Sequence, residues 1–208
     1  MKKQNFSSFT LTQAYQHLQI QTLQPWEIPD QPIAPTPFFA ERLQRLQNRF
    51  DLRYCEKSKE LLIDAFCEEA LENIQHLKIW KGAKLETPTT NGNVDYLIAP
   101  QKDYLDTPGL CIVEAKKDDF QQGLAQCLVE MKACQIWNQT QKITVNIFGI
   151  VTNGEGWRFY QLTTANQAQE TALYSTKDIP ILLGALHQIF SLCQTQLCNL
   201  SPNPETDS

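Results

Sequence analysis

Asp95 and, nineteen residues later, the tripeptide Glu114-Ala115-Lys116 put two carboxylates and an ammonium at the ends or edges of apolar runs. Residues 92–98 read as a strand entered through a turn, and residues 110–116 as a second strand built mostly of β-formers. Strand side chains alternate between faces, so Glu114 and Lys116 share one face with Leu110 and Ile112. Two carboxylates on adjacent strands can hold Mg²⁺ or Mn²⁺, which prefer oxygen donors. A lysine beside them can position or deprotonate a water, or neutralise charge that builds on a phosphate. Glu-x-Lys by itself is common and usually marks a surface ion pair. The helical segment directly after it gives it more weight.

Asp118-Asp119-Phe120 puts acid at the favourable end of a helix running to about Trp137. Phe120, Leu124, Cys127, Leu128, Met131 and Cys134 form its apolar face. Gln126 and Glu130 lie four apart, one strip over, within reach of the end of the preceding strand. The order helix, strand, Asp-bearing strand, Glu-x-Lys strand, helix, strand resembles the PD-(D/E)XK nuclease superfamily. More narrowly, residues 56–161 resemble the N-terminal nuclease domain of type I restriction enzyme motor subunits. The landmarks are Glu56 ahead of Leu61-Leu62-Ile63-Asp64-Ala65-Phe66, Gly92-Asn93-Val94-Asp95-Tyr96, Val113-Glu114-Ala115-Lys116-Lys117, Gly123-Leu124-Ala125-Gln126, and residues 151–160.

The resemblance implies a restriction-endonuclease-like α/β fold, a mixed sheet of about five strands flanked by helices. It implies Asp95 and Glu114 as ligands to Mg²⁺ or Mn²⁺, Lys116 as the catalytic lysine, and Gln126 as its helper from a Gln-x-x-x-Tyr motif. The carbonyl of Ala115, between Glu114 and Lys116, is the natural third oxygen. Glu56 takes the place of a first-helix glutamate in the metal shell, or caps the helix it begins. Two positions depart from the pattern: Glu130 stands where the helper motif has Tyr, and Val94 stands where the superfamily has its eponymous proline. The implied activity is metal-dependent hydrolysis of nucleic-acid phosphodiesters, with DNA the expected substrate. The alternative is a non-catalytic nuclease-like domain that binds a protein or a nucleic acid.

Composition sets limits on both readings. The 208 residues are 42% hydrophobic and 20% charged, ordinary for one well-buried domain. A net charge of −5 and a pI near 5.2 argue against avid sequence-independent binding to duplex. The seven cysteines form no CxxC and sit in apolar patterns, which favours free thiols in a reducing, cytoplasmic compartment. His17, His76 and His187 are far apart and near no cysteine cluster, so zinc is not expected. The polar stretch 4–13 is no signal-peptide core, and no run reads as a membrane span. There is no GxxxxGK[ST], GxGxxG, GxSxG or HExxH. Without a motor, substrate would be delivered by a partner protein, or the task would need no translocation.

The remaining elements come from periodicity. Residues 1–52 read as a helical and Pro-rich appendage packed on the core: a short helix over 9–23, five prolines between Pro25 and Pro37, and a helix over 38–50. The nuclease-like domain spans 53–198, with a helix over 58–74 and a strand over 76–86. An Asn91-Gly92 hairpin turn leads to the strand over 92–98. Beyond the central helix come a strand over 143–151, a hairpin to 157–162, and a helix from Ile179 to about Cys198. Residues 199–208 read as a disordered tail.

Overall fold

The computed structural model describes residues 3–116 and 119–200. Its fold is mixed α/β. The main strands are β3 (Leu77–Glu86), β4 (Thr90–Pro100), β5 (Cys111–Ala115), β6 (Ile147–Thr152) and β7 (Gly156–Leu162). Lying side by side in chain order, they pair antiparallel except for the parallel β5–β6 step, which α4 (Phe120–Thr140) crosses over. Short strands extend this sheet: β1 (Gln4–Asn5) on β4, β8 (Ala168–Glu170) and β9 (Tyr174–Ser175) on β7, and β2 (Gln24–Pro25) on β8.

Helices cover both faces. On one, α4 packs closely over β6, where a Cβ on Gly149 would sit 2.4 Å from the Met131 sulfur. Outside α4 lies α1 (Leu11–Leu18), begun by a capping box between Thr10 and Gln13. The other face carries α3 (Glu56–Leu71) and α5 (Ile179–Leu200), joined where His187 meets the Ala70 carbonyl at 3.1 Å. An outer helix, α2 (Pro37–Arg49), stacks on α3 through Phe39 and Phe66, and Phe66 continues to Trp157 of β7. By length and composition α5 does pass for a membrane span, contrary to the sequence reading. Here its stripe of Leu182, Leu183, Leu186, Ile189, Phe190 and Cys193 is buried in the core.

Several boundaries differ from expectation for local physical reasons. Asn91 and Gly92 lie inside β4, and the hairpin turns earlier, where Thr87 Oγ1 accepts from the amides of Thr89 and Thr90. Gly92 serves close packing instead, since a Cβ there would meet the Phe6 ring at 2.6 Å. The strand expected from residue 143 begins only at Ile147, because the amide and carbonyl of Asn146 bond the Gln196 side chain of α5. The N-terminal helix ends at Leu18 with Gln19 left-handed, and Asn199 and Leu200 are helical rather than tail. Lys117, Asp118 and residues 201–208 lie outside the described residues; Asp119, the cap of α4, accepts from the Gln122 amide at 2.9 Å. The N-terminal segment buries Phe6, Phe9, Ala14 and Leu18 in the core and supplies two strands to the sheet.

Candidate active site

Asp95 and Glu114 meet because of register. Tyr96 pairs with Val113 and Leu97 with Ile112, and one further step sets Asp95 opposite Glu114 on the α4 side of the sheet. The Ala115 amide donates to Asp95 Oδ2 at 2.8 Å, which ties the two strands together beyond the last ladder pair. Lys116 comes next, its own amide bonded to the Thr152 carbonyl, with Nζ 2.5 Å from Glu114 Oε1. The side chain of Lys116 is 18% exposed and that of Glu114 fully buried.

Two glycines shape this corner. A Cβ on Gly123 would lie 2.9 Å from Lys116 Cγ and 2.8 Å from Val151 Cγ1, so glycine lets the first turn of α4 close over the lysine. Gly82 falls opposite Asp95 but adopts φ +64 and drops out of the ladder between the Lys81–Tyr96 and Ala83–Val94 pairs. That left-handed backbone suits glycine and interrupts β3 beside the aspartate.

From α4, Gln126 and Glu130 complete the polar cluster. Gln126 Nε2 donates to Glu130 Oε1 at 2.9 Å, and Glu130 is fully buried. Among the described residues four buried oxygens here find no donor of regular geometry: both of Glu114, Gln126 Oε1 and Glu130 Oε2, although the Glu114 and Glu130 carboxyls lie within reach of one another and can share a proton. The Lys116 ammonium lies against Glu114 at 2.5 Å, and its charge and proton both favour the ionised carboxylate. Buried polar atoms are normally satisfied, and a cluster of orphans marks a place built for something further.

The electrostatics reflect this crowding. Burial, and then the Asp95 charge, push Glu114 up to about 8 against the pull of Lys116. Burial and the Glu114 charge hold Glu130 well above the usual carboxylate range. Burial also raises Asp95, opposed by the Ala115 amide and Lys116 and reinforced by Glu56 and Glu60. For Lys116 burial works against the charge, but Glu114, Asp95 and Glu56 outweigh it and hold the ammonium above its ordinary value.

Glu56 stands in the first turn of α3, exposed, and its charge reaches both Asp95 and Lys116. Glu60, one turn on, pairs with Lys81 at 3.0 Å, and Lys81 also binds Asp64 at 2.9 Å. Lys84 pairs with Glu86 at 3.3 Å. These two lysines are thus engaged with neighbouring carboxylates.

The structure therefore brings together Asp95, Glu114, Ala115, Lys116 and Gln126, with Glu56 at the rim. Glu130, which the sequence puts within reach of the strand end and at the helper-motif Tyr position, joins them as a fully buried carboxyl. The available signal was an acid embedded among Leu128, Val129 and Met131, where the helix is otherwise apolar. Among the described residues no three His, Cys, Asp or Glu side chains converge as a preformed metal cage. The donor set nevertheless fits a hard cation: Asp95 and Glu114 face one another beside the Glu130 carboxyl, three acids with one ammonium among them.

No family model matches the chain. A stretch of 72 residues is 38% identical to Crinkler effector protein 5 of Phytophthora infestans. It covers 34% of this chain, which spans about a fifth of that protein's length. A match of this extent leaves the chain's activity to be argued from its own residues.

Proposed function

We propose that this chain is a Mg²⁺- or Mn²⁺-dependent nuclease that hydrolyses nucleic-acid phosphodiesters, with DNA the expected substrate. The observation that carries this reading is the facing pair Asp95 and Glu114, the latter buried with unsatisfied oxygens and touched by the Lys116 ammonium. Asp95 and Glu114 would hold the cation, with the Ala115 carbonyl between them and the lysine, and Glu56 at the outer rim. Bound there, the cation would lower the pKa of a water and polarise the phosphate. Lys116 contributes as a cation. Its ammonium is held above its ordinary value, so near neutral pH it donates to water or phosphate oxygen rather than removing a proton. Gln126 presents its unsatisfied carbonyl oxygen, steadied by its amide bond to Glu130. All seven cysteines are free thiols, which supports the reducing, cytoplasmic setting proposed with this activity.

Plasmid and single-stranded substrates incubated with purified protein and Mn²⁺ test it. Cutting should vanish in Asp95→Ala and Lys116→Ala; cutting that persists undiminished in either variant sinks the assignment.

The second reading, a non-catalytic binding module, has one observation in its favour: Glu130 occupies the helper-motif Tyr position and engages the Gln126 amide. Metal-dependent stability separates the two. A cation at a hundred times its dissociation constant stabilises by about 2.7 kcal/mol. A Mn²⁺-induced rise in Tm that disappears in Glu114→Gln supports a live site; no rise in folded wild type favours the module.

A further inference from the structure

The chain has five arginines, and four of them, Arg42, Arg45, Arg49 and Arg53, fall within twelve residues along α2 and the loop after it. The same segment holds three widely exposed rings: Phe38 at 66%, Phe50 at 52% and Tyr54 at 76%. Positive charge interleaved with open aromatic faces is unusual on a chain of net charge −5. The acids nearby do not cancel it. Arg42 pairs with Glu68, Arg45 with Glu41 and Arg53 with Glu155, all at partly exposed positions where an ion pair is worth about 0–1 kcal/mol and yields readily to a phosphate. Arg49 is exposed at the end of α2.

The loop end of this segment approaches the rim of the site. A groove of about 420 Å³ on the α3 and α5 side is lined by Gln47, Phe50, Asp51, Arg53, Glu155 and Lys177. Glu155 lies on the β6–β7 turn, three residues beyond Thr152, whose carbonyl holds the Lys116 amide. Two residues after Tyr54, Glu56 begins α3 with its charge felt by Asp95 and Lys116. Base faces are hidden in a duplex and open in a single strand, and base–aromatic stacking with cationic tracking of the backbone is how single strands are held.

We infer that the α2 arginines and the Phe50–Tyr54 rings form a docking track that delivers single-stranded nucleic acid to the Asp95–Glu114–Lys116 corner. This inference rests on the nuclease reading for its destination, but its test does not. Fluorescence anisotropy of the full chain in EDTA, with a labelled single strand of about 16 nucleotides and the same sequence as duplex, reports binding without cutting. The single strand should bind more tightly than the duplex and weaken with salt. The double variant Arg49→Ala/Tyr54→Ala should bind it at least about tenfold more weakly, about 1.4 kcal/mol. Tyr104→Ala, an exposed ring outside the track, should bind as wild type does. Wild-type binding by the double variant, a preference for duplex, or capture of neither nucleic acid overturns the inference. Mn²⁺-dependent cutting is scored separately. If it requires Asp95 while the double variant binds normally, the track is wrong and the nuclease reading stands. If binding needs the track while nothing is cut, the reverse holds.

Discussion

Lys116→Gln removes the ammonium that touches Glu114 while keeping most of the side chain's length. A strand-end surface substitution would shift stability by no more than about 0.5 kcal/mol. Lys116 is not such a residue, with only 18% of its side chain exposed against a fully buried carboxylate. Stripping the partner from a trapped buried charge costs about 3–5 kcal/mol. Glu114 is not trapped as a charge, because its carboxyl is already pushed up to about 8 and takes a proton once the lysine is gone. The expected loss is therefore smaller, about 1.5–3 kcal/mol near neutral pH, the scale of one hydrogen bond to a charged group. Chemistry should suffer more. A preorganised charge facing charge that develops on phosphate is worth about 2.7–4 kcal/mol of barrier, a hundredfold or more in rate. Urea titration and Mn²⁺-dependent plasmid nicking, run beside Lys84→Gln on the exposed part of β3, give both quantities. If Lys116→Gln cuts as fast as Lys84→Gln, the shared-face geometry does not serve catalysis. If it fails to fold while Lys84→Gln folds, Lys116 is a structural counter-ion and the catalytic argument loses its separate footing.

The buried glutamates predict a pH dependence. Their folded values lie above the unfolded value of about 4.3, so the stability they contribute is complete below it and is lost as pH rises through the folded values, about 8 for Glu114. Acidifying from about pH 8 to about pH 5 should raise the Tm of wild type more than that of Glu130→Gln; equal rises in calorimetry refute the coupling. Gly123→Ala forces a methyl against Lys116 and Val151 and should cost about 1–3 kcal/mol in urea titration and slow cutting as well. Phe6→Ala empties a ring site over Gly92 and should cost about 3–5 kcal/mol, whereas a detachable appendage would lose nothing from the sheet.

The three charged residues were legible because strand alternation leaves little freedom: once 110–116 is a strand, Glu114 and Lys116 must share a face. The long strands and the stripes of α2, α3 and α5 were legible for the same reason of period. The short strands were not, since two or three residues carry no period and β2 exists through the pairing of Gln24 and Pro25 with Gln169 and Glu170, far along the chain. Asn91-Gly92 misled because a tertiary neighbour, Phe6, demanded the glycine that a turn also favours. The pattern placed Glu130 within reach of the strand end but did not show its burial, which depends on α4 closing over β5 so that its carboxyl lies against Glu114.

The kink at Gly82 also bears on how copies of this chain treat one another. Among the described residues β3 pairs with β4 alone, so the outward backbone groups of this ten-residue strand are open to any strand that arrives. A newcomer would have to cross a left-handed residue midway and lie beside Lys78, Lys81 and Lys84, all exposed. At the far side of the sheet the terminal strand is two residues long and ends in Pro25, which has no amide to donate. Both borders thus discourage sheet-to-sheet association between molecules, and the interruption beside Asp95 is one of the features that guards against it.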